Sequence, residues 1–219
     1  VTSTLIVLIL KVEGASRWQD IRPISLCNVS SKIISKLVSS RLNQLLPQLI
    51  SPWQSGFVPG RQIMDNIFLT QEHAKELDRR LEVPNLMLKL NMEKAYDRVE
   101  WSFLFFMLRS FGFQEPAVDL IFRLVANNWF FVLVNGEPAG FFKSTRGVRQ
   151  GDSISPGLFV LVAEFFDKGL YSLFQQGRHR FFQAGGIKIS YLAFADDVII
   201  FTRIARETLE AVRDFFKQY

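Results

Sequence analysis

Hydrophobic positions in the first part of the chain follow the spacing of a strand and then of a helix. A short apolar run over residues 4–10 predicts a buried strand that opens the chain. Apolar residues then recur every three or four positions, which indicates an amphipathic helix with Ser30 or Ser31 as its N-cap and an end before residues 51–52. The apolar positions of this helix are Ile34, Leu37, Val38, Leu42, Leu45 and Leu49.

The pattern changes near residue 85, where alternating segments begin to interrupt the helices. Three leucines between residues 86 and 90 alternate with other side chains, which predicts a strand with two different faces. Asn91 continues the second face and is therefore expected to point away from the leucines. Asn135-Gly136 lies between two apolar runs and is a strong hairpin signal.

The remaining segments combine helices with strands. Further helices are predicted over residues 63–81, 99–111, 117–127, 156–176 and 206–219. Further strands are predicted over residues 130–134, 140–144, 188–194 and 198–202. Because both kinds of element occur and the strands are expected to pair antiparallel, the predicted class is α+β.

Composition narrows the classes of function. Hydrophobic residues make up 48% of the 219 residues, which argues against disorder, and the net charge of +5 suits a polyanionic partner or an ordinary basic surface. Cys27 is the single cysteine, so a disulfide or a cysteine zinc site within the chain is excluded. The opening apolar run is too short to span a bilayer, and no membrane partner is expected.

The pair Asp196-Asp197 is the strongest chemical signal in the sequence. It joins two apolar strand patterns, where two adjacent carboxylates are costly to hold near a core. Divalent metal ions would offset that cost, which makes the pair a candidate metal site. The alternative is a solvated turn, since aspartate is common in turns.

Five segments in order resemble the motifs of reverse transcriptases. FADD (residues 194–197) is similar to the catalytic hairpin of the family, and RGVRQGDSISP (146–156) and LNMEKAYDRV (90–99) resemble two further palm motifs. DIRPISL (20–26) and QSGFVPGR (54–61) resemble fingers segments of non-LTR, LINE-type retrotransposons, especially the plant type. The resemblance covers most of the chain between residues 5 and 203.

The resemblance implies nucleotidyl transfer in a right-hand polymerase fold. A primer 3′-hydroxyl would attack the α-phosphate of a dNTP and release pyrophosphate, with an RNA template and a DNA primer as partners. Two Mg²⁺ ions, or Mn²⁺ in their place, would be held by Asp196 and Asp197, because hard cations need oxygen ligands.

Five positions match substrate-binding positions of the family. Tyr96 corresponds to the aromatic residue under the sugar that excludes a 2′-hydroxyl, with a core aromatic as the alternative. Gln150 and Gly151 correspond to residues that line the nucleotide and template side of the pocket. Arg22, and with it Lys11, corresponds to fingers cations near the dNTP phosphates, although both could equally be backbone-phosphate contacts or solvated charges.

Two positions depart from the family pattern. Asn91 stands where the family has the aspartate that bridges both metals, and an amide is a poor Mg²⁺ bridge. Glu93 and Asp97 are close in sequence but occupy other family positions, and Ser153 replaces a usual proline. These changes favour a copy that is impaired in catalysis.

The resemblance also predicts the domain organisation. Residues 1–84 would form the fingers and residues 85–219 a palm that is cut before the thumb, with an endonuclease and the thumb elsewhere in a longer retroelement polyprotein. The protein is then expected to be intracellular, either nuclear or cytoplasmic. The alternatives are a catalytically dead remnant that binds nucleic acid, a group II intron maturase-like polymerase, and an unrelated basic RNA-binding module.

Overall fold

A computed structural model describes residues 2–175, 182, 184 and 188–218. The α+β class is confirmed by the helices and strands of these ranges. The helices are α1 (Val29–Leu49), α2 (Ile63–Ala74), α3 (Ala95–Arg98), α4 (Trp101–Ser110), α5 (Glu115–Ala126), α6 (Ser155–Gln175) and α7 (Arg206–Gln218). The strands are β1 (Thr2–Leu10), β2 (Ile21–Leu26), β3 (Asn85–Asn91), β4 (Asn128–Val134), β5 (Glu137–Lys143), β6 (Tyr191–Phe194) and β7 (Asp197–Arg203).

Several predicted boundaries need correction. The N-terminal cap of α1 is Asn28, whose Oδ1 accepts a hydrogen bond from the Ser31 amide at 2.8 Å, rather than Ser30 or Ser31. The second helix ends at Ala74 instead of residue 81. The predicted helix ends at Gln176 and Tyr219 lie outside the described residues.

Contacts divide the chain into two compact units, each made of two stretches of sequence. The first unit contains Val1–Leu45 and Lys94–Val162, and the second contains Leu46–Glu93 and Ala163–Tyr219. The expected division into fingers and palm is a functional one that these units do not test, so it stays a prediction. Among the described residues, no helix has the length and apolar character needed to cross a bilayer.

The first unit contains a sheet with the strand order β2-β1-β4-β5. β1 and β2 are antiparallel, as are β4 and β5, whose connecting Asn135-Gly136 has positive φ at both residues and forms the predicted hairpin turn. β1 pairs with β4 in parallel, so the expectation of antiparallel pairing throughout is wrong at this pair. The opening strand is only half-buried, because Ile9 and Leu10 extend into solvent.

The second unit contains an antiparallel sheet with the order β3-β7-β6. One face of the sheet packs on α6, where Phe166, Leu170 and Phe174 join Tyr191 and Ile200 in a buried cluster. Leu88 and Leu90 of β3 pack against the same cluster, in agreement with the predicted two-faced strand. Asn91 ends β3 on the opposite, exposed side.

Candidate active site

The predicted catalytic hairpin is formed by β6 and β7. Phe194 pairs with Asp197, which leaves Ala195 and Asp196 as the two turn residues. Ala195 has a φ of 56°, a left-handed conformation that costs a residue with a side chain about 1 kcal/mol. The first central position of such tight turns usually holds glycine or asparagine for this reason.

Asn91, the third residue of the predicted site, lies beside this hairpin. Asn91 is the register partner of Asp197 at the end of the β3–β7 ladder, and the Met92 amide donates to the Asp196 carbonyl at 3.2 Å. Directly paired residues of an antiparallel ladder project to the same face of the sheet. The register therefore brings Asn91, Asp196 and Asp197 together in the second unit.

A lysine shares this face of β3. The ammonium nitrogen of Lys89 lies 3.5 Å from Asp197 Oδ1, two residues before Asn91 on the same side of the strand. Both side chains are substantially exposed, so the ion pair contributes no more than about 1 kcal/mol to stability. Lys89 nevertheless places a positive charge beside a carboxylate that would hold a metal.

The oxygen atoms of Asn91, Asp196 and Asp197 form the donor set that a metal ion would meet, and hard divalent cations prefer such ligands. Asp197 Oδ1 is buried and accepts no hydrogen bond among the described residues, so the Lys89 ammonium at 3.5 Å or a metal ion could offset its charge. Within the same ranges, no group of three or more His, Cys, Asp or Glu side chains suits a metal. The donor set fits a divalent ion in chemistry but supplies only two carboxylates.

A fully buried glutamine contacts the strained turn. Gln54 Oε1 accepts hydrogen bonds from the Ala195 amide at 2.8 Å and the Gly56 amide at 2.9 Å. Gln54 Nε2 donates to the Ala195 carbonyl at 3.3 Å. Sequence analysis placed Gln54 in a fingers-type motif but gave no role to its side chain.

Two buried carboxylates on α6 lie close to the same loop, and the sequence analysis missed them. Ser51 donates its amide to Glu164 Oε2 at 2.8 Å, and its hydroxyl is 2.8 Å from the Tyr191 hydroxyl. Asp167 is equally buried one turn further along the helix. Acidic residues three apart in an otherwise apolar helix share one face, which is the signal that could have identified them.

Burial changes the ionisation of this cluster. Desolvation raises the pKa of Glu164 and, together with the charge of Asp167, the pKa of Tyr191. Desolvation and the neighbouring Glu164 raise the pKa of Asp167 to about 8, against a hydrogen bond from Gln54 that acts in the opposite direction. Asp167 is therefore largely protonated at neutral pH.

Arg61 holds the loop that carries Gln54. Its guanidinium donates to the carbonyls of Ser51 and Gln54, and to that of Ile50 at 2.9 Å. A further bond reaches the Pro47 carbonyl in the last turn of α1 at 3.3 Å. Arginine is suited to this position because its fork of donors can serve several acceptors at once.

Tyr96 and Gln150, two of the predicted substrate-binding residues, lie in the first unit, where the main-chain carbonyl of each accepts a hydrogen bond. The Gln150 carbonyl accepts a hydrogen bond from the Ser25 amide of β2 at 2.9 Å, and the Tyr96 carbonyl accepts one from the Val148 amide at 2.9 Å. The Tyr96 ring stacks on Phe159 with the ring centres 4.9 Å apart. Gln150 also lines a cavity of about 200 Å³ with Asp97, Arg146 and Ser144 among its other walls.

Gly151 has a φ of +99°, and a side chain there would meet Ile24 and Ser25 of β2. Arg22 shares one face of β2 with Ile24, because alternate residues of a strand point the same way, and it is exposed. Lys11 lies beyond the end of β1 and donates its ammonium to the Gln19 carbonyl at 2.6 Å. Arg22 thus lies on the face of β2 that Gly151 approaches. It pairs with Ile9 of β1, so Lys11 lies at the same end of the hairpin, with its ammonium engaged by the Gln19 carbonyl.

A buried ion pair supports the segment that presents Gln150 and Gly151. Arg149 pairs with Asp152, whose other oxygen accepts a hydrogen bond from the Ser35 hydroxyl of α1. Arg149 also donates to Asn128 Oδ1 at 2.9 Å. The sequence placed Arg149 and Asp152 within a palm motif without a role for either, because their further partners Asn128 and Ser35 are 21 and 117 positions away.

A profile of the family described as reverse transcriptase (RNA-dependent DNA polymerase) matches residues 10–219 of the chain. The chain belongs to the reverse transcriptase family.

Two relatives of this reverse transcriptase chain come from transposable elements. It is 34% identical over 179 residues to the transposon TX1 uncharacterized 149 kDa protein of Xenopus laevis, which covers 82% of the chain and 13% of the relative. It is 30% identical over 208 residues to the retrovirus-related Pol polyprotein from the type-2 retrotransposable element R2DM of Drosophila melanogaster. This match covers 93% of the chain and 18% of the relative. The chain thus spans less than a fifth of the length of either relative.

Solved structures of telomerase share the fold of this reverse transcriptase chain. Apo telomerase from Candida tropicalis, truncated from its C-terminal domain, superimposes with a TM-score of 0.64 at 16% identity and covers 99% of the chain and 46% of its own length. Telomerase from Candida albicans in complex with a fragment of telomeric RNA superimposes with a TM-score of 0.64 at 13% identity. The match covers 99% of the chain and 39% of that telomerase. At these identities the likeness shows the fold alone.

The predicted family is therefore confirmed, as a reverse transcriptase domain of a non-LTR retrotransposon. The finer assignment to a plant-type element stays a prediction. The roles assigned to individual site residues also stay predictions, because the family match does not test them.

Proposed function

We propose that this chain is the fingers and palm of an RNA-directed DNA polymerase, and that this copy polymerises poorly because of Asn91. The reaction is the in-line attack of a primer 3′-hydroxyl on the α-phosphate of a dNTP, directed by an RNA template. The register between Asn91 and Asp197, beside Asp196, is the observation that supports this proposal most directly.

Asp196 and Asp197 would hold the divalent metal, Mg²⁺ or Mn²⁺. When bound, two such ions lower the pKa of the primer hydroxyl and neutralise charge on the attacking and leaving oxygens. The protein's own contribution is to fix the carboxylates at the tip of a rigid hairpin and to align the substrates beside them.

The substrate would be positioned by the residues that correspond to substrate-binding positions of the family. Tyr96, with its ring fixed against Phe159, would limit the space next to the 2′ position of the sugar. Gln150 and Gly151 would contact the nucleotide and template, and Gly151 permits close approach because it lacks a side chain. Arg22 and Lys11 would attract the dNTP phosphates.

The weakness of this copy follows from charge. Two divalent ions carry four positive charges, whereas Asp196 and Asp197 supply two negative ones and Asn91 supplies none. Lys89 adds a further positive charge 3.5 Å from Asp197 Oδ1. We therefore expect the position that needs the bridging carboxylate to bind metal weakly.

Primer extension on an RNA template with Mg²⁺ tests the proposal. In a chain extended through a thumb domain, Asn91→Asp should raise the rate at least about a hundredfold, or about 2.7 kcal/mol. The Asn91→Asp chain is called the repaired chain below. Adding Asp196→Asn to it should abolish extension again. Titration with Mn²⁺, followed by its electron paramagnetic resonance signal, should show tighter binding after Asn91→Asp.

Robust Mg²⁺-dependent extension by the unmodified Asn91 chain would contradict the proposed impairment. It would mean that Glu93, Asp97 or the phosphates of the dNTP supply the missing charge. No extension by the repaired chain, with folding and metal binding intact, would contradict the polymerase proposal itself.

A second candidate function is nucleic-acid binding without polymerisation, as in a decayed copy. Asn91 and the Lys89–Asp197 ion pair favour it, because both reduce the capacity of the hairpin to hold metal. The two candidates differ in one result. A remnant would bind a primer–template duplex equally well before and after Asn91→Asp and would extend it in neither state.

A further inference from the structure

The turn that carries Asp196 is unusual because its strained residue is an alanine. Ala195 is buried, adopts a left-handed φ, and precedes Asp196 directly. A residue with a Cβ atom stays in this conformation only where its surroundings hold it there. The surroundings that do so must therefore be part of how the hairpin presents its carboxylates.

Gln54 provides that support on both sides of Ala195. Its Oε1 accepts from the Ala195 amide at 2.8 Å, and its Nε2 donates to the Ala195 carbonyl at 3.3 Å. The amide belongs to the peptide plane before Ala195, and the carbonyl belongs to the plane after it. Both backbone torsions of Ala195 are thus restrained by one side chain, and the second plane leads directly into Asp196.

The position of Gln54 is itself fixed by its loop. The Ser55 amide donates to the Ala193 carbonyl at 2.9 Å, and the Ala193 amide donates to the Trp53 carbonyl at 2.9 Å, so the loop pairs with β6. Gly56 approaches so closely that a Cβ atom there would lie 2.3 Å from the Ala195 nitrogen. The carboxamide therefore cannot shift without displacing this packed segment.

We propose that Gln54 is a positioning residue for the catalytic hairpin: its buried carboxamide holds Ala195 in the left-handed conformation and thereby sets the direction of Asp196. The other side of Asp196 is held independently, since its carbonyl accepts from the Met92 amide at 3.2 Å. The catalytic consequence rests on the proposed polymerase function, whereas the restraint on Ala195 does not.

Amide hydrogen exchange in the unmodified chain is the first test. The Ala195 amide should exchange as slowly as that of Ala193, because each is buried and bonded. Exchange of the Ala195 amide at the rate of an unprotected peptide would overturn the proposal, whatever the behaviour of any variant.

Gln54→Met provides the second test, because methionine keeps the volume but lacks the amide. Protection of the Ala195 amide should fall at least about tenfold while the Ala193 amide keeps its protection. The same change at an exposed site of α2, Gln71→Met, is the control and should leave the protection of both amides unchanged. Unchanged protection of Ala195 in a folded Gln54→Met chain would overturn the proposal.

Ala195→Gly supplies a rescue that a merely space-filling glutamine would not show. Glycine adopts a positive φ without strain, so the turn needs less support. The loss of stability caused by Gln54→Met, measured as the shift in urea midpoint, should therefore be at least about twofold smaller in the Ala195→Gly background. Equal losses in both backgrounds would contradict the restraint on Ala195.

The catalytic consequence is measured in the repaired, thumb-bearing Asn91→Asp chain. Gln54→Met should lower kcat for primer extension by about tenfold to a hundredfold, with the KM for dNTP changed less than about threefold. A loss confined to KM would contradict the positioning role. Failure of the repaired chain to extend any primer would count against the proposed function. The hydrogen-exchange results would still test the restraint of Ala195 by Gln54.

Discussion

At the scale of single residues, burial decides the charge of the acidic side chains of α6. Asp167 faces the interior beside Glu164, where an ionised carboxylate is poorly solvated. The folded chain therefore binds a proton that the unfolded chain releases at any pH between the ordinary pKa of 3.8 and about 8. Protonated Asp167 contributes stability that is complete below the ordinary pKa and is lost as the pH rises through the folded pKa.

Asp167→Asn should therefore change how stability depends on pH. Asparagine keeps the shape and stays neutral, so the variant should gain stability relative to the unmodified chain by up to about 1.4 kcal/mol per pH unit as pH rises from about 5 to about 8. Urea unfolding across this range measures the difference. Asp78→Asn, at an exposed site, is the control, and parallel profiles for Asp167→Asn and the unmodified chain would contradict the raised pKa.

Tyr96 is the residue expected to distinguish ribose from deoxyribose. Its ring is held against Phe159, so shortening the side chain should open space at the 2′ position without altering the metal site. In the repaired Asn91→Asp chain, Tyr96→Ala should reduce the preference for dNTP over the ribonucleotide at least about tenfold. Single-nucleotide extension with each substrate measures the ratio, and an unchanged ratio would assign Tyr96 to the core instead.

At the scale of elements, the loop after α1 depends on one arginine. The Arg61 guanidinium donates hydrogen bonds to four carbonyls, those of Pro47, Ile50, Ser51 and Gln54. Carbonyls at the C-terminal end of a helix have no donor within the helix, so they need such a partner. A lysine has a single nitrogen and cannot span these acceptors.

Arg61→Lys should therefore destabilise the chain by about 2 kcal/mol, as expected when buried carbonyls lose charged donors. The measurement is the free energy of unfolding in urea. Arg41→Lys, at an exposed position of α1, is the matched control and should change stability by less than about 0.5 kcal/mol. Equal effects of the two substitutions would show that the bonds of Arg61 carry no net stability.

At the scale of the whole molecule, the net charge of +5 is expected to drive the proposed association with nucleic acid. Asn91→Asp removes only one unit of this excess. Affinity for a primer–template duplex should therefore change less than about twofold across the Asn91 and Asp196 variants, and it should fall at least about tenfold when salt is raised fourfold. Fluorescence anisotropy measures both quantities. Salt-independent binding would contradict an electrostatic interface.

The sequence by itself determined the elements whose signals are local. The Asn135-Gly136 turn, the amphipathic α1 and the two-faced β3 follow from residues that are neighbours along the chain, because turn chemistry and side-chain periodicity act over a few residues. The order of the motifs also identified the family and the place of Asn91 beside the hairpin. The end of α2 was missed, because the apolar spacing continues to Leu81 while the amides of Glu76 and Leu77 bond only three residues back, to His73 and Ala74.

The tertiary structure alone decided which distant segments share a core. The parallel pairing of β1 with β4 and the contact of Gln54 with Ala195 each join residues more than a hundred positions apart, and the raised pKa of Asp167 follows from its burial in the folded core. Such contacts form because the paired surfaces exclude water together, and a one-dimensional pattern shows that a surface is apolar without showing its partner. The sequence thus predicted the carboxylates of the candidate site, and the fold showed which distant side chain contacts their turn.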